Sequence, residues 1–97
     1  LSRYTLYIQP QTFQEIKTLP GQMRQRIRQS IRELADNPRP ALSKQLDWSD
    51  SPELRRLRLD NWRIIYLVTE IELTIDVLAI RKRPPYDYGD LKLLLED

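Results

Sequence analysis

"LRLDNWRIIYLV", residues 57–68, places an Asp-Asn pair between two apolar runs that each carry one arginine. Asp and Asn are turn formers and the flanking Leu, Trp, Ile, Tyr and Val are strand formers, so the stretch predicts a β-hairpin turning at Asp60-Asn61. A two-residue turn fixes the register: Leu59 faces Trp62, Arg58 faces Arg63, Leu57 faces Ile64 and Arg56 faces Ile65. Side chains alternate across a sheet, which gathers Leu57, Leu59, Trp62, Ile64, Tyr66 and Val68 on one face and Arg56, Arg58 and Arg63 on the other. Two cations directly opposite one another are unfavourable. Either an anion belongs on that face, or a neighbouring acid neutralises it. With a following turn at Glu70-Ile71, Asp76 falls on the same face, diagonal to Arg63, and supplies such a pair.

The rest of the chain builds outward from this hairpin. Residues 3–8 alternate as a strand, and Pro10 suits a first helical turn. Thr12 and Glu15 have the spacing of a capping box, with Phe13, Ile16 and Leu19 as the apolar side of a short helix ended by Pro20-Gly21. Met23, Ile27, Ile31 and Leu34 recur at helical spacing with arginines on the opposite side, and "DNP" at 36–38 ends this second helix. Residues 38–53, "PRPALSKQLDWSDSPE", read as an irregular connection with three prolines. Strands are predicted at 54–59, 62–69 and 72–80, the last stopped by "RPPY". The tail "YGDLKLLLED" is predicted as a short C-terminal helix, whose leucines cover the sheet or leave a groove for a partner. The order β-α-α-β-β-β reads as α+β: a helical hairpin on one face of a mostly antiparallel four-stranded sheet, with residues 1–97 as a single domain.

Composition narrows the chemistry. The chain has neither histidine nor cysteine, which removes catalysis built on either, along with disulfides and ordinary zinc sites. No metal or other cofactor is expected. A reducing cytoplasm fits, and no signal peptide or membrane span is expected from the start "LSRYTLYIQP". Sixteen basic residues against 14 acidic ones give a net charge of only +2, too little to announce nucleic acid. Local grouping says more: Arg24, Arg26, Arg28 and Arg32; then Arg55, Arg56 and Arg58; then Arg81, Lys82 and Arg83. Each group reads as a solvated face or as an anion-binding one. Basic residues on an open sheet face suit an RNA or DNA backbone or another phosphate. Tyr86 and Tyr88 either stack bases there or pack at the strand end.

The element order, the run "LRRLRLDNWRIIYLV" and the following "VLAIRKRPPYDY" resemble the RelE/ParE superfamily of bacterial toxins from toxin–antitoxin pairs. The resemblance begins at "YTLYIQPQTFQEIKTLP" and covers nearly the whole chain. It implies a cytoplasmic toxin held inactive by a cognate antitoxin, which alone would link it to operator DNA. The RelE branch, which the motif favours, cuts messenger RNA in the A site of the 70S ribosome. The ParE branch poisons DNA gyrase, and a third expectation is an inactive member kept for antitoxin binding or autoregulation. Carried onto this chain, the RelE pattern implies phosphate-binding roles for Arg56 and Arg58 and catalytic roles for Arg63, Arg83 and Tyr86 or Tyr88; Arg81 of the basic triplet is expected to add a phosphate contact. The chain departs from well-studied members in having arginine where they often carry second-strand lysines, and no histidine in its basic triplet. Guanidinium keeps its proton at workable pH, so the proton-moving groups left are Lys82, flanked by Arg81 and Arg83, and the two tyrosines.

Overall fold

A computed structural model of the chain describes residues 3–47 and 53–82. The elements run β1 (Thr5–Ile8), α1 (Pro10–Lys17), α2 (Gly21–Leu34), β2 (Ser43–Gln45), β3 (Leu54–Leu59), β4 (Trp62–Thr69) and β5 (Thr74–Lys82). They form one mixed sheet ordered β1-β5-β4-β3-β2, antiparallel throughout except for the parallel β1–β5 pair. The α+β reading therefore holds, with five strands in place of four. The added strand, β2, lies inside the segment expected to be irregular; its three residues are polar and follow two prolines, so no apolar alternation marks it. The expected C-terminal helix lies outside the described residues.

The hairpin register is the one the Asp-Asn turn predicts, from Leu59 opposite Trp62 to Arg56 opposite Ile65. Asp60 takes a positive φ of 53°, a conformation Asp tolerates better than most residues. The next turn departs from expectation. Thr69 pairs with Thr74, so four residues, 70–73, make the connection, with Leu73 at φ 54°. An irregularity in the pairing at Ile65/Tyr66 then shifts β5 by a further residue.

The main core lies between the helices and the inner sheet face. Ile27, Ile31 and Leu34 of α2 and Ile16 of α1 meet Leu57, Ile64, Tyr66, Val68, Ile75, Val77 and Ile80. Leu59 and Trp62 are partly buried against the same cluster, so all six residues assigned to the inner face lie there. Tyr66 donates its hydroxyl to the Pro38 carbonyl at 2.6 Å, which satisfies the one polar atom it brings into the core and ties the connection after α2 to the sheet. Burial raises its phenol pKa.

Two local expectations fail for physical reasons. Thr12 caps nothing; its buried hydroxyl donates to the Leu78 carbonyl at 2.7 Å, stitching α1 to β5, and Gln9 is the N-cap without a side-chain bond. Phe13 accordingly turns outward, 38% exposed, with the Lys17 ammonium 4.7 Å from its ring centre. On the far side, Arg39 bonds both Glu53 (2.7 Å) and Glu70 (3.0 Å), and Tyr4 donates to Glu70 at 2.8 Å. This network joins the start of the chain, the post-α2 connection and the β4–β5 turn.

A cationic row on the outer sheet face

The outer face carries its own pattern. Leu54, Ile65, Leu78 and Ala79 form a second buried cluster there, with Leu46 and Leu67 against it. Towards the hairpin tip the same face turns basic. Arg58 pairs with Arg63, and Arg63 pairs with Arg81, so three arginines stand side by side across β3, β4 and β5. One row further in, Lys44 of β2 pairs with Arg56. Lys44 belongs to the face only because β2 exists, which is why the sequence reading misses it.

Asp76 is the only acidic residue in any described strand. It does share the outer face, but it stands opposite Leu67, four positions along β4 from Arg63. At about 3.3 Å per residue that is about 13 Å, too far for the diagonal ion pair the shorter turn predicts. Burial, and then the neighbouring Glu72 charge, raise the Asp76 pKa. A group whose folded pKa exceeds its unfolded one costs stability once pH rises above that window, and costs nothing below it. Asp76→Asn is therefore expected to raise the melting temperature at pH 7 and to leave it unchanged near pH 3. An equal gain at both pH values would trace the effect to packing instead.

Arg63 differs from its neighbours. It is only 2% exposed, where the sequence reading expects an open side chain. Its Nη1 donates to the carbonyls of Asp60 (3.0 Å) and Trp62 (2.9 Å), so the guanidinium curls back onto the turn and holds its shape. Its Nε is buried and has no acceptor among the described residues. Arg58 is exposed, and Arg56 half-buried; neither makes a side-chain hydrogen bond among the described residues. Arg81 donates to the Ile80 carbonyl at 3.2 Å. Arg55, in contrast, lies on the inner parity and bonds Glu53 and Ser43.

The structure thus brings Arg58, Arg63 and Arg81 into one row with Arg56 beside it. It separates Lys82, which pairs with Trp62 and so falls on the helix-bearing side. Arg83, Tyr86 and Tyr88 lie outside the described residues. Three arginines side by side in the register, Arg58 exposed and Arg63 held against the turn, concentrate cationic charge at this end of the face, which suits a phosphate.

A family model described as the ParE toxin of type II toxin–antitoxin systems matches residues 7–84. The chain belongs to the RelE/ParE family of type II toxins. Its fold is also that of several solved RelE structures. The RelE of the archaeal RelE–RelB complex from Pyrococcus horikoshii OT3 superposes with a TM-score of 0.77 at 24% identity, covering 87% of this chain and 99% of that one. The RelBE2 toxin–antitoxin complex of Mycobacterium tuberculosis gives 0.71 at 17% identity, covering 84% and 99%. The isolated RelE toxin of E. coli gives 0.71 at 18% identity, covering 93% and 95%. No curated protein sequence matches significantly.

Proposed function

We propose that the chain is a RelE-like toxin that cleaves ribosome-bound messenger RNA, with the outer-face arginines holding the scissile phosphate. The observation that carries this reading is the Arg58–Arg63–Arg81 row across three neighbouring strands. In the reaction the RNA 2′-oxygen bonds to the adjacent phosphorus and the bond to the 5′-oxygen breaks. A base takes the 2′-hydroxyl proton and an acid returns one to the leaving 5′-oxygen. Negative charge accumulates on the phosphorane oxygens, where preorganised arginines are most effective. Arg63 is preorganised by the turn carbonyls; Arg58 and Arg56 can approach from the open side. Tyr86 and Tyr88 are the proton carriers in this reading, and Arg83 adds to the charge clamp.

The toxin acts in the cytoplasm and is neutralised by a small cognate antitoxin, as the RelE–RelB complexes among its structural relatives suggest. No described helix is long and apolar enough to cross a membrane. The decisive experiment maps messenger 5′ ends in a purified translation reaction with and without the toxin. Cleavage is expected only in ribosome-bound message, and it should persist when a chelator removes protein-bound metal while ribosomal magnesium is held constant. A second reading, gyrase poisoning, is favoured by one observation, the ParE description of the matching family model. Gyrase-dependent DNA breaks with intact messenger would select it.

A further inference from the structure

The cationic row does not stop at the sheet. At the hairpin tip a cleft of about 470 Å³ is lined by Arg58 and Arg63 of the sheet, by Asp60 and Asn61 of the turn, and by Arg26, which reaches in from α2. Arg26 is ion-paired to the Asp60 carboxylate. The side chains of the pair are 43% and 58% exposed, so water competes with the contact and it adds little to the fold. Asp60 is held twice: its carboxylate by Arg26 and its backbone carbonyl by Arg63. Arg63 also lines this cleft; its Nε, like that of Arg55, is buried without an acceptor among the described residues. Three arginines around one polar cleft, with a single carboxylate paired among them, leave cationic charge there that suits an anion.

We propose that this cleft is a second phosphate subsite, in which Arg26 joins Arg58 and Arg63 on a phosphodiester of single-stranded RNA next to the one clamped by the row. The inference rests on the RNA-directed reading above. In the free protein the Asp60 carboxylate occupies Arg26 in the phosphate's place. RNA binding exchanges one oxyanion partner for another, and the backbone hold of Arg63 on the turn is kept throughout. Asp60 is then a competitor for Arg26 and not merely its structural partner.

The test is titration of the full chain with a 2′-O-methylated single-stranded RNA, which cannot be cleaved, by fluorescence anisotropy over a range of salt concentrations. Arg26→Ala is expected to weaken binding several-fold and to flatten the dependence of log K on log salt by about 0.7, the contribution of one phosphate contact on a single strand. Arg26→Lys should restore most of that slope. Asp60→Asn should tighten binding, the opposite sign from Arg26→Ala, although both remove the same ion pair. If the two variants shift affinity in the same direction, the pair is a structural tie and the subsite is disproved. If wild type binds and Arg26→Ala has an unchanged slope, the subsite alone fails. If wild type does not bind the RNA at any salt concentration, the subsite fails, whereas the ribosome-dependent reading is decided separately by the mapping of messenger 5′ ends. Circular dichroism of each variant confirms that the comparison is between folded proteins.

Discussion

Arg63→Ala is expected to abolish growth arrest, to reduce single-turnover cleavage by about 10²–10³-fold, as loss of one preorganised donor does, and to lower the melting temperature as well. The combination follows from where the residue sits. On the activity side it is the middle member of the row, with a cation on either flank. On the stability side it is buried and bonded to two turn carbonyls. Removing a charged donor from part-buried acceptors costs about 1–3 kcal/mol, partly offset by relief of repulsion from Arg58 and Arg81. In a domain of this size about 4–8 °C of melting temperature accompanies each kcal/mol, so a fall of about 5–15 °C is expected. Arg58→Ala is the control. Its side chain is exposed and makes no bond among the described residues, so activity should fall with the melting temperature unchanged. If Arg63→Ala melts like wild type, the turn contacts carry no energy and the preorganisation argument falls with them.

Tyr86→Phe is expected to slow single-turnover cleavage on programmed ribosomes by about 10²–10⁴-fold, the usual contribution of a general acid or base. The row itself holds only arginines, which stabilise charge but do not exchange protons at neutral pH. Of the three proton carriers named from the sequence, Lys82 is placed by its pairing with Trp62 on the side away from the row. Lys82→Met should therefore stay within a few-fold of wild type, and the burden passes to Tyr86 and Tyr88. Tyr86 follows Arg83 at the spacing nearest the family pattern, so it is expected to show the larger effect and a flattened pH profile. A collapse of activity in Lys82→Met with normal rates in both tyrosine variants would reverse the assignment.

The hairpin was legible because one turn dipeptide sets the register and alternation does the rest. From Asp60-Asn61 alone the inner face of β3 and β4 and the Arg58–Arg63 pairing can be written down, and the structure has both. Alternation assigns a face but not a depth. Nothing in the spacing of Arg63 distinguishes an open cation from one folded back onto carbonyls of its own turn. The β4–β5 register was misread because no Gly or Asn marks the turn; Leu73 adopts the positive φ instead. The irregularity at Ile65/Tyr66 then adds a shift that no periodicity encodes, and it is this shift that sets Arg81 beside Arg63. Lys44 was missed, and Arg26 was read only within an arginine group open to a solvated or an anion-binding face, for another reason. One stands on a strand too short to show a pattern, and the other arrives from a helix whose wet face looks like solvent-facing charge.

The order of the strands also governs when the cationic row can come into being. β1, the first strand synthesised, finds its parallel partner only in β5, where Thr5 meets Thr74. The sheet closes through a pairing that spans most of the chain, the kind of contact that delays folding. Arg58 and Arg63 meet as soon as one local hairpin forms, but Arg81 joins them only from the last described strand. A chain whose β5 is still unpaired therefore has Arg58 and Arg63 in place but lacks the third member of the row.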